Sequence, residues 1–163
     1  METAIRTINK QRKFGVTTYH KFQKLNIDHS VIDLDQNISD VNYFCTPVGA
    51  KVIGEAGVDG IHYCFIEGFD EMVFAISPSS FPGENVHPIA KNFEDLLRLL
   101  LACGSMDAIE QTYMWDEELF EQYIMDNKPD EKQCAVMNII KKRISDHSDG
   151  TAIFLYERYA GFI

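Results

Sequence analysis

From Val58 to Tyr123 nearly every apolar residue falls at a spacing that assigns it to an element. In Gly60–Glu67 (GIHYCFIE), Ile61, Tyr63 and Phe65 alternate with His62, Cys64 and Ile66. Both sets are largely apolar, so this segment predicts a central strand of a sheet covered, at least in part, on both sides. Gly68-Phe69-Asp70 supplies a turn, and Glu71–Ser77 returns as the partner strand. Residues 78–83 (PSSFPG) read as a loop, after which Val86–Ile89 resumes an extended segment. The period then changes. Asn92 opens a helix with Glu94 and Asp95 in its first turn, where the dipole favours them, and Gly104 ends it. Phe93, Leu96, Leu97, Leu100 and Leu101 recur at three and four residues, which is a core stripe. Ser105 predicts the cap of a second helix reaching Tyr113. Asp116 predicts the cap of a third, with Trp115 placed to pack on Phe120 as a hydrophobic staple. A fourth follows Pro129, with Val136, Ile139, Ile140 and Ile144 inward and Lys141, Lys142 and Arg143 near its C-terminus.

The flanks carry weaker patterns. Phe14, Val16, Thr18, His20 and Phe22 alternate with Lys13, Gly15, Thr17, Tyr19 and Lys21, which predicts a strand, with room for a helix around Ala4–Arg12. Val31, Asp33 and Asp35 alternate with Ile32 and Leu34 as in another short strand. Val41–Cys45 is β-prone, Lys51–Gly54 is ambiguous, and Ala152–Tyr156 reads as a last strand after an Asp149-Gly150 turn. Strands early, helices later and one late strand describe an α+β protein, with a twisted, mainly antiparallel sheet packed against helices. At 163 residues this is one domain with a real core.

Charge changes the picture more than composition does. The formal net charge is −10, unevenly spread. Residues 1–24 hold six Lys/Arg (Arg6, Lys10, Arg12, Lys13, Lys21, Lys24) against Glu2, a possible basic N-terminal arm. The remaining 139 residues hold 9 basic and 24 acidic residues, and from Asp107 to Asp126 there are seven carboxylates with no Lys or Arg. Such a field repels nucleic acid and anionic lipid and favours basic partners, although acidity also serves solubility alone. The N-terminus lacks the apolar core of a secretory signal, and no run approaches a bilayer span, so a cytoplasmic protein is the expectation. Cys45, Cys64, Cys103 and Cys134, spaced 19, 39 and 31 apart, then read as reduced core thiols.

None of the common phosphate-binding, hydrolase, zinc or EF-hand motifs is present. Three constellations remain. His62 and Cys64 share a strand face near Asp59 and can be a base–nucleophile pair or a partial metal site, or a core histidine bonded to a backbone carbonyl beside a core thiol. Glu67, Asp70 and Glu71 at the hairpin tip can be acid–base groups, bind Ca²⁺ (without the DxDxDG spacing) or be a solvated turn. The segment TYMWDEELFEQY places Glu117 and Glu121 one helical turn apart, with Leu119, Phe120 and Tyr123 turned inward. That ridge beside Trp115 and Tyr113 suits a basic protein partner, or is simply the wet face of a helix.

The run from Asp59-Gly60-Ile61-His62-Tyr63 through the hairpin to His87-Pro88-Ile89-Ala90 and Asn92-Phe93-Glu94-Asp95, ending at Cys103-Gly104, resembles the SUKH superfamily of Smi1/Knr4-like domains. The resemblance covers about half the chain, from near Tyr43 to Tyr123, and rests mostly on structural residues. It implies an α+β domain and, from its many bacterial immunity proteins, the binding and neutralising of a toxin, often a nuclease. No Pro- and Gly-containing helical motif of that family is evident before Tyr43.

The expectation is therefore a non-enzymatic binding protein, immunity-like, that occludes a basic, toxin-like protein partner and uses neither metal nor cofactor. Asp70, Glu71, Asp116, Glu117 and Glu121 are the expected contact residues. The alternatives are an enzyme using His62 with Asp59 or Cys64, and a regulatory or scaffolding module whose residues 1–24 dock elsewhere.

Overall fold

The computed structural model describes residues 18–40 and 42–143. Residues 18–23 are helical (α1), where the alternation predicted a strand. Tyr19 and Phe22 are both buried while His20 and Lys21 are exposed, so burial follows helical spacing. Gln23 closes the turn by donating to the Tyr19 hydroxyl at 2.9 Å. The strand expected over Val31–Asp35 is also absent. A 3-10 turn, His29–Ile32, ends at Asp33 in the left-handed region (φ 58°), and only Asp35 pairs, through a single bridge to Glu55. Ile32 and Leu34 are nevertheless buried, as their alternation required. Residues 42–45 form no strand, and Thr46 N–H closes a turn onto the Tyr43 carbonyl. The elements predicted over residues 1–17, and the inward Ile144, the Asp149-Gly150 turn and the Ala152–Tyr156 strand, lie outside the described residues.

Four antiparallel strands, β1 (Lys51–Glu55), β2 (His62–Phe65), β3 (Val73–Ile76) and β4 (Val86–Ala90), form one sheet in that order. Lys51 faces Phe65 across β1 and β2, and irregularities interrupt the register at Val52/Gly54 and Val73/Phe74. The pairing sorts side chains into two faces. Ile61, Tyr63, Val73, Ala75 and Ile89 enter the main core with α1 and the later helices. On the other face one row runs Val52, Cys64, Phe74, Pro88 and a second runs Glu55, His62, Ile76, Val86.

Helix α2 (Phe93–Cys103) is capped by the Asn92 side chain, which accepts from Asp95 N–H at 2.8 Å, and ends at Gly104 with φ 89°. Its buried stripe includes Phe93, Leu96, Leu97 and Leu100. Leu101 only borders the core, and Leu99 is buried instead. Arg98 bridges back to Glu94 and Asp95. Helix α3 (Met106–Glu110) stops three residues before Tyr113, and Ser105 has the extended backbone of a cap without its side-chain bond. Helix α4 (Glu117–Asp126) starts at Asp116, whose carboxylate accepts from Leu119 N–H at 2.9 Å. Trp115 packs against the core and lies 4.8 Å from the Tyr123 ring. Helix α5 (Glu131–Arg143) opens on a reciprocal cap: Asp130 accepts from Gln133 N–H at 2.8 Å, and Gln133 accepts from Asp130 N–H at 2.9 Å. Val136 and Ile140 are buried, but Ile139, expected inward, is exposed. The expected α+β architecture, with the sheet packed against helices, is present.

Candidate functional site: an acidic cluster beside helix α4

The five expected contact residues lie on two parts of the fold, the hairpin turn and the start of α4. Asp70 and Glu71 sit in the turn that leads into β3, with Asp70 left-handed at φ 53°. The loop leaving the other end of β3 reaches Tyr113, whose hydroxyl lies 3.1 Å from Ser80 Oγ, three residues before Asp116. Glu117 is exposed and Glu121 is half-buried one turn later. Phe120 is buried and Tyr123 packs against the core, but Leu119, expected inward, is exposed.

The fold brings together a different set of carboxylates around two tyrosines. Tyr63, at the centre of β2 and fully buried, donates to Glu110 Oε2 on α3 at 3.0 Å. Gln111 donates to the other Glu110 oxygen at 3.2 Å. Tyr123 on α4 donates to Asp107 at 3.3 Å. Asp33, at the end of the 3-10 turn, feels both Asp107 and Glu110. Burial first, and those two neighbours second, push its carboxyl up to about 6. Burial also raises Glu110, with Asp107 and Asp59 adding to the rise and the Tyr63 and Gln111 bonds opposing it. Burial and the negative charge of Glu110 hold the Tyr63 hydroxyl far above the usual phenol range.

No cation from the contributing stretches relieves this repulsion. Residues 25–50, which carry Asp33, contain no Lys or Arg. The same holds for residues 52–90, which carry Asp59, and for residues 99–127, which carry Asp107, Glu110 and the α4 ridge. Asp33, Asp107 and Glu110 are far apart in the linear chain, and only the fold brings their charges together around Tyr63. The three Lys- and Arg-free stretches were the available signal.

His62 is held differently. Its Nδ1 donates to the Gly60 carbonyl at 2.8 Å, its Nε2 is 3.0 Å from Thr46 Oγ1, and Tyr43 stacks on the ring at 5.3 Å. The carbonyl requires the proton on Nδ1, which leaves Nε2 to accept from the Thr46 hydroxyl in the neutral ring. Cys64 is fully buried, and desolvation pushes its thiol up to about 12, the reverse of an activated nucleophile. Cys103 is likewise buried and pushed up to about 12, whereas Cys45 is half-buried and Cys134 is exposed, so only two of the four cysteines are core thiols. Among the described residues no group of three or more His, Cys, Asp or Glu side chains is arranged to hold a metal ion, and no helix is long and apolar enough to cross a membrane.

Fold and cluster together define an α+β domain with one strongly acidic, tyrosine-lined region. Compared with known proteins, the chain matches no family model, no curated protein and no solved structure.

Proposed function

We propose that this chain is a non-enzymatic binding protein of the cytoplasm that occludes a basic protein partner. Its mode is that of an immunity protein neutralising a toxin. The observation that carries this reading is the convergence of Asp33, Asp59, Asp107 and Glu110 beside α4, built from stretches without Lys or Arg. A partner's Lys or Arg arriving there supplies a counter-charge that the stretches carrying these carboxylates lack. Association driven this way is fast and salt-sensitive. A nuclease suits such a surface because it must be basic where it holds phosphates. The resemblance of residues 59–104 to Smi1/Knr4-like domains supports the toxin-neutralising form of the reading. The same negative field argues against nucleic acid and anionic membrane as partners.

The test is capture from the source cell's lysate by immobilised wild-type protein and by the E117K/E121K double variant, with low- and high-salt elution. The expected result is a basic protein released from the wild type by salt and absent from the variant, with both proteins melting at the same temperature. Retention of the same protein by both would remove the α4 ridge from the interface. Capture of acidic proteins only would overturn the reading.

A further inference from the structure

Among the described residues, the sheet's second face is covered by a loop and by no helix. Residues 42–50 lie over Cys64, Phe74 and Ile76, with Cys45 and Ala50 packed on that small cluster and Tyr43 and Thr46 engaging His62. From the hairpin tip, Phe69 sets its ring edge-on to Phe74 at 5.3 Å. The cover is itself apolar outward. Phe44 is 83% exposed and Val48 fully exposed, Phe69 is 54% exposed, and Val86 and Pro88 continue the face as exposed residues of β4. Single exposed apolar residues are ordinary, but these share one side of one sheet.

Charge identifies what such a face accepts. Glu67 is exposed beside the loop, close enough that a side chain at Gly49 would meet its carboxylate at 3.3 Å. Asp70 is exposed at the hairpin tip next to Phe69. Every segment building the face, residues 42–50 and 52–88, lacks Lys and Arg. Lys51, at the β1 edge, points away and sits 5.4 Å over the Tyr19 ring on the helix-covered side. A second copy would set carboxylates against carboxylates, so self-pairing is disfavoured.

We infer that the Phe44–Val48–Phe69 face is a second protein-docking surface, for a partner segment presenting apolar side chains flanked by Lys or Arg. It lies across the sheet from the Tyr63–Glu110 cluster, so it goes beyond the acidic-ridge interface and stands without it. Its recognition is apolar contact with carboxylates at the margin, the usual anatomy of a protein interface.

The probe is a synthetic amphipathic helix of leucine and lysine, titrated into the full-length protein and followed by backbone amide NMR, with a leucine–glutamate peptide as control. The lysine peptide is expected to shift amides of residues 42–50 and 67–70. F44S/V48S should weaken it at least about tenfold, E117K/E121K should leave these shifts in place, and the glutamate peptide should not bind. Shifts confined to α4 and lost in E117K/E121K would overturn this inference while leaving the acidic-ridge reading intact. Two other results would also overturn it, by naming a different occupant. One is a wild-type dimer in sedimentation that F44S/V48S makes monomeric. The other is peptide binding gained only when Arg6, Lys10, Arg12 and Lys13 are replaced by Gln. Equal binding by wild type and F44S/V48S would end it outright.

Discussion

Helices seal the Tyr63 face of the sheet, whereas nine residues of loop seal the His62 face, and the two sides carry charge in opposite ways. On the helix side Phe93, Leu96, Leu97 and Leu100 join Tyr19 and Phe22 in a continuous core, with a hydrogen-bonded carboxylate, Glu110, buried at its margin. On the loop side three fully or nearly buried residues, Cys64, Phe74 and Ile76, make a small cluster, with Glu67 exposed beside its loop. The thick side has enough apolar area to hold carboxyl groups under repulsion. The loop over the thin side is tied to it through His62, by Thr46 and the stacked Tyr43 ring. Stability therefore resides on one face, and the outward apolar surface on the other.

The sharpest way to break that contrast is to remove one large side chain from each face. Leu100→Ala leaves a cavity in the helix-side core and is expected to cost about 3 kcal/mol. Phe44→Ala on the outer face is expected to stay within about 0.5 kcal/mol, both read by urea denaturation. Comparable losses would mean the loop face is also part of the core. Next in size, Gly60→Ala attacks the link between loop and sheet. Gly60 is left-handed (φ 69°), and an added Cβ would lie 2.6 Å from a Tyr43 ring carbon. A loss of about 2 kcal/mol is expected, with faster amide exchange in residues 43–50 and unchanged protection in α2. Uniform loss of protection would show that the two faces unfold as one unit.

Asp116 separates cap from charge. Asp116→Ala removes both and should cost about 1 kcal/mol, whereas Asp116→Asn keeps an accepting oxygen for Leu119 N–H and should cost a few tenths. Equal costs would assign the effect to charge and not to the cap. The last effect has the opposite sign. Asp33 titrates near 6, above the usual carboxylate range, so its ionisation opposes the folded state. Stability from this group is present below about pH 4 and is lost as pH rises through 6. Because the carboxyl is partly solvated, the penalty at pH 7.5 is about 1 kcal/mol after screening. Asp33→Asn, which tolerates the left-handed backbone, should raise stability by that amount at pH 7.5 and flatten its slope between pH 4 and 6. A destabilised variant with an unchanged slope would show that Asp33 is not the titrating group.

Legibility in the chain followed locality. Asn92, Gly104 and Asp116 announced their helix ends because a cap is a contact between near neighbours. Ile61/Tyr63/Phe65 against His62/Cys64 announced a two-sided strand because alternation is fixed by the backbone. The first helix was misread because Thr18, His20 and Phe22 mimic a period of two, and only the tertiary burial of Tyr19 with Phe22 shows the period of 3.6. The Asp130–Gln133 cap is local and was legible, but Pro129 drew the start of that helix instead. The Asp33–Asp107–Glu110 convergence was not legible, since it joins a turn to a helix more than seventy residues away. The notion of an acidic ridge on α4 came from density of charge along the chain, which says where carboxylates are many and not where they are crowded.

Pro88 lies in β4, an outer strand of the sheet, and supplies no backbone N–H to any strand beyond it. At the opposite border Glu55 is already bridged to Asp35, and Ser39 donates to its carboxylate through both backbone and hydroxyl. Neither border offers a continuous ladder on which an unfolding neighbour can template itself. Among the described residues, crowded copies of this protein therefore meet no free sheet edge on which one molecule could extend the ladder of the next.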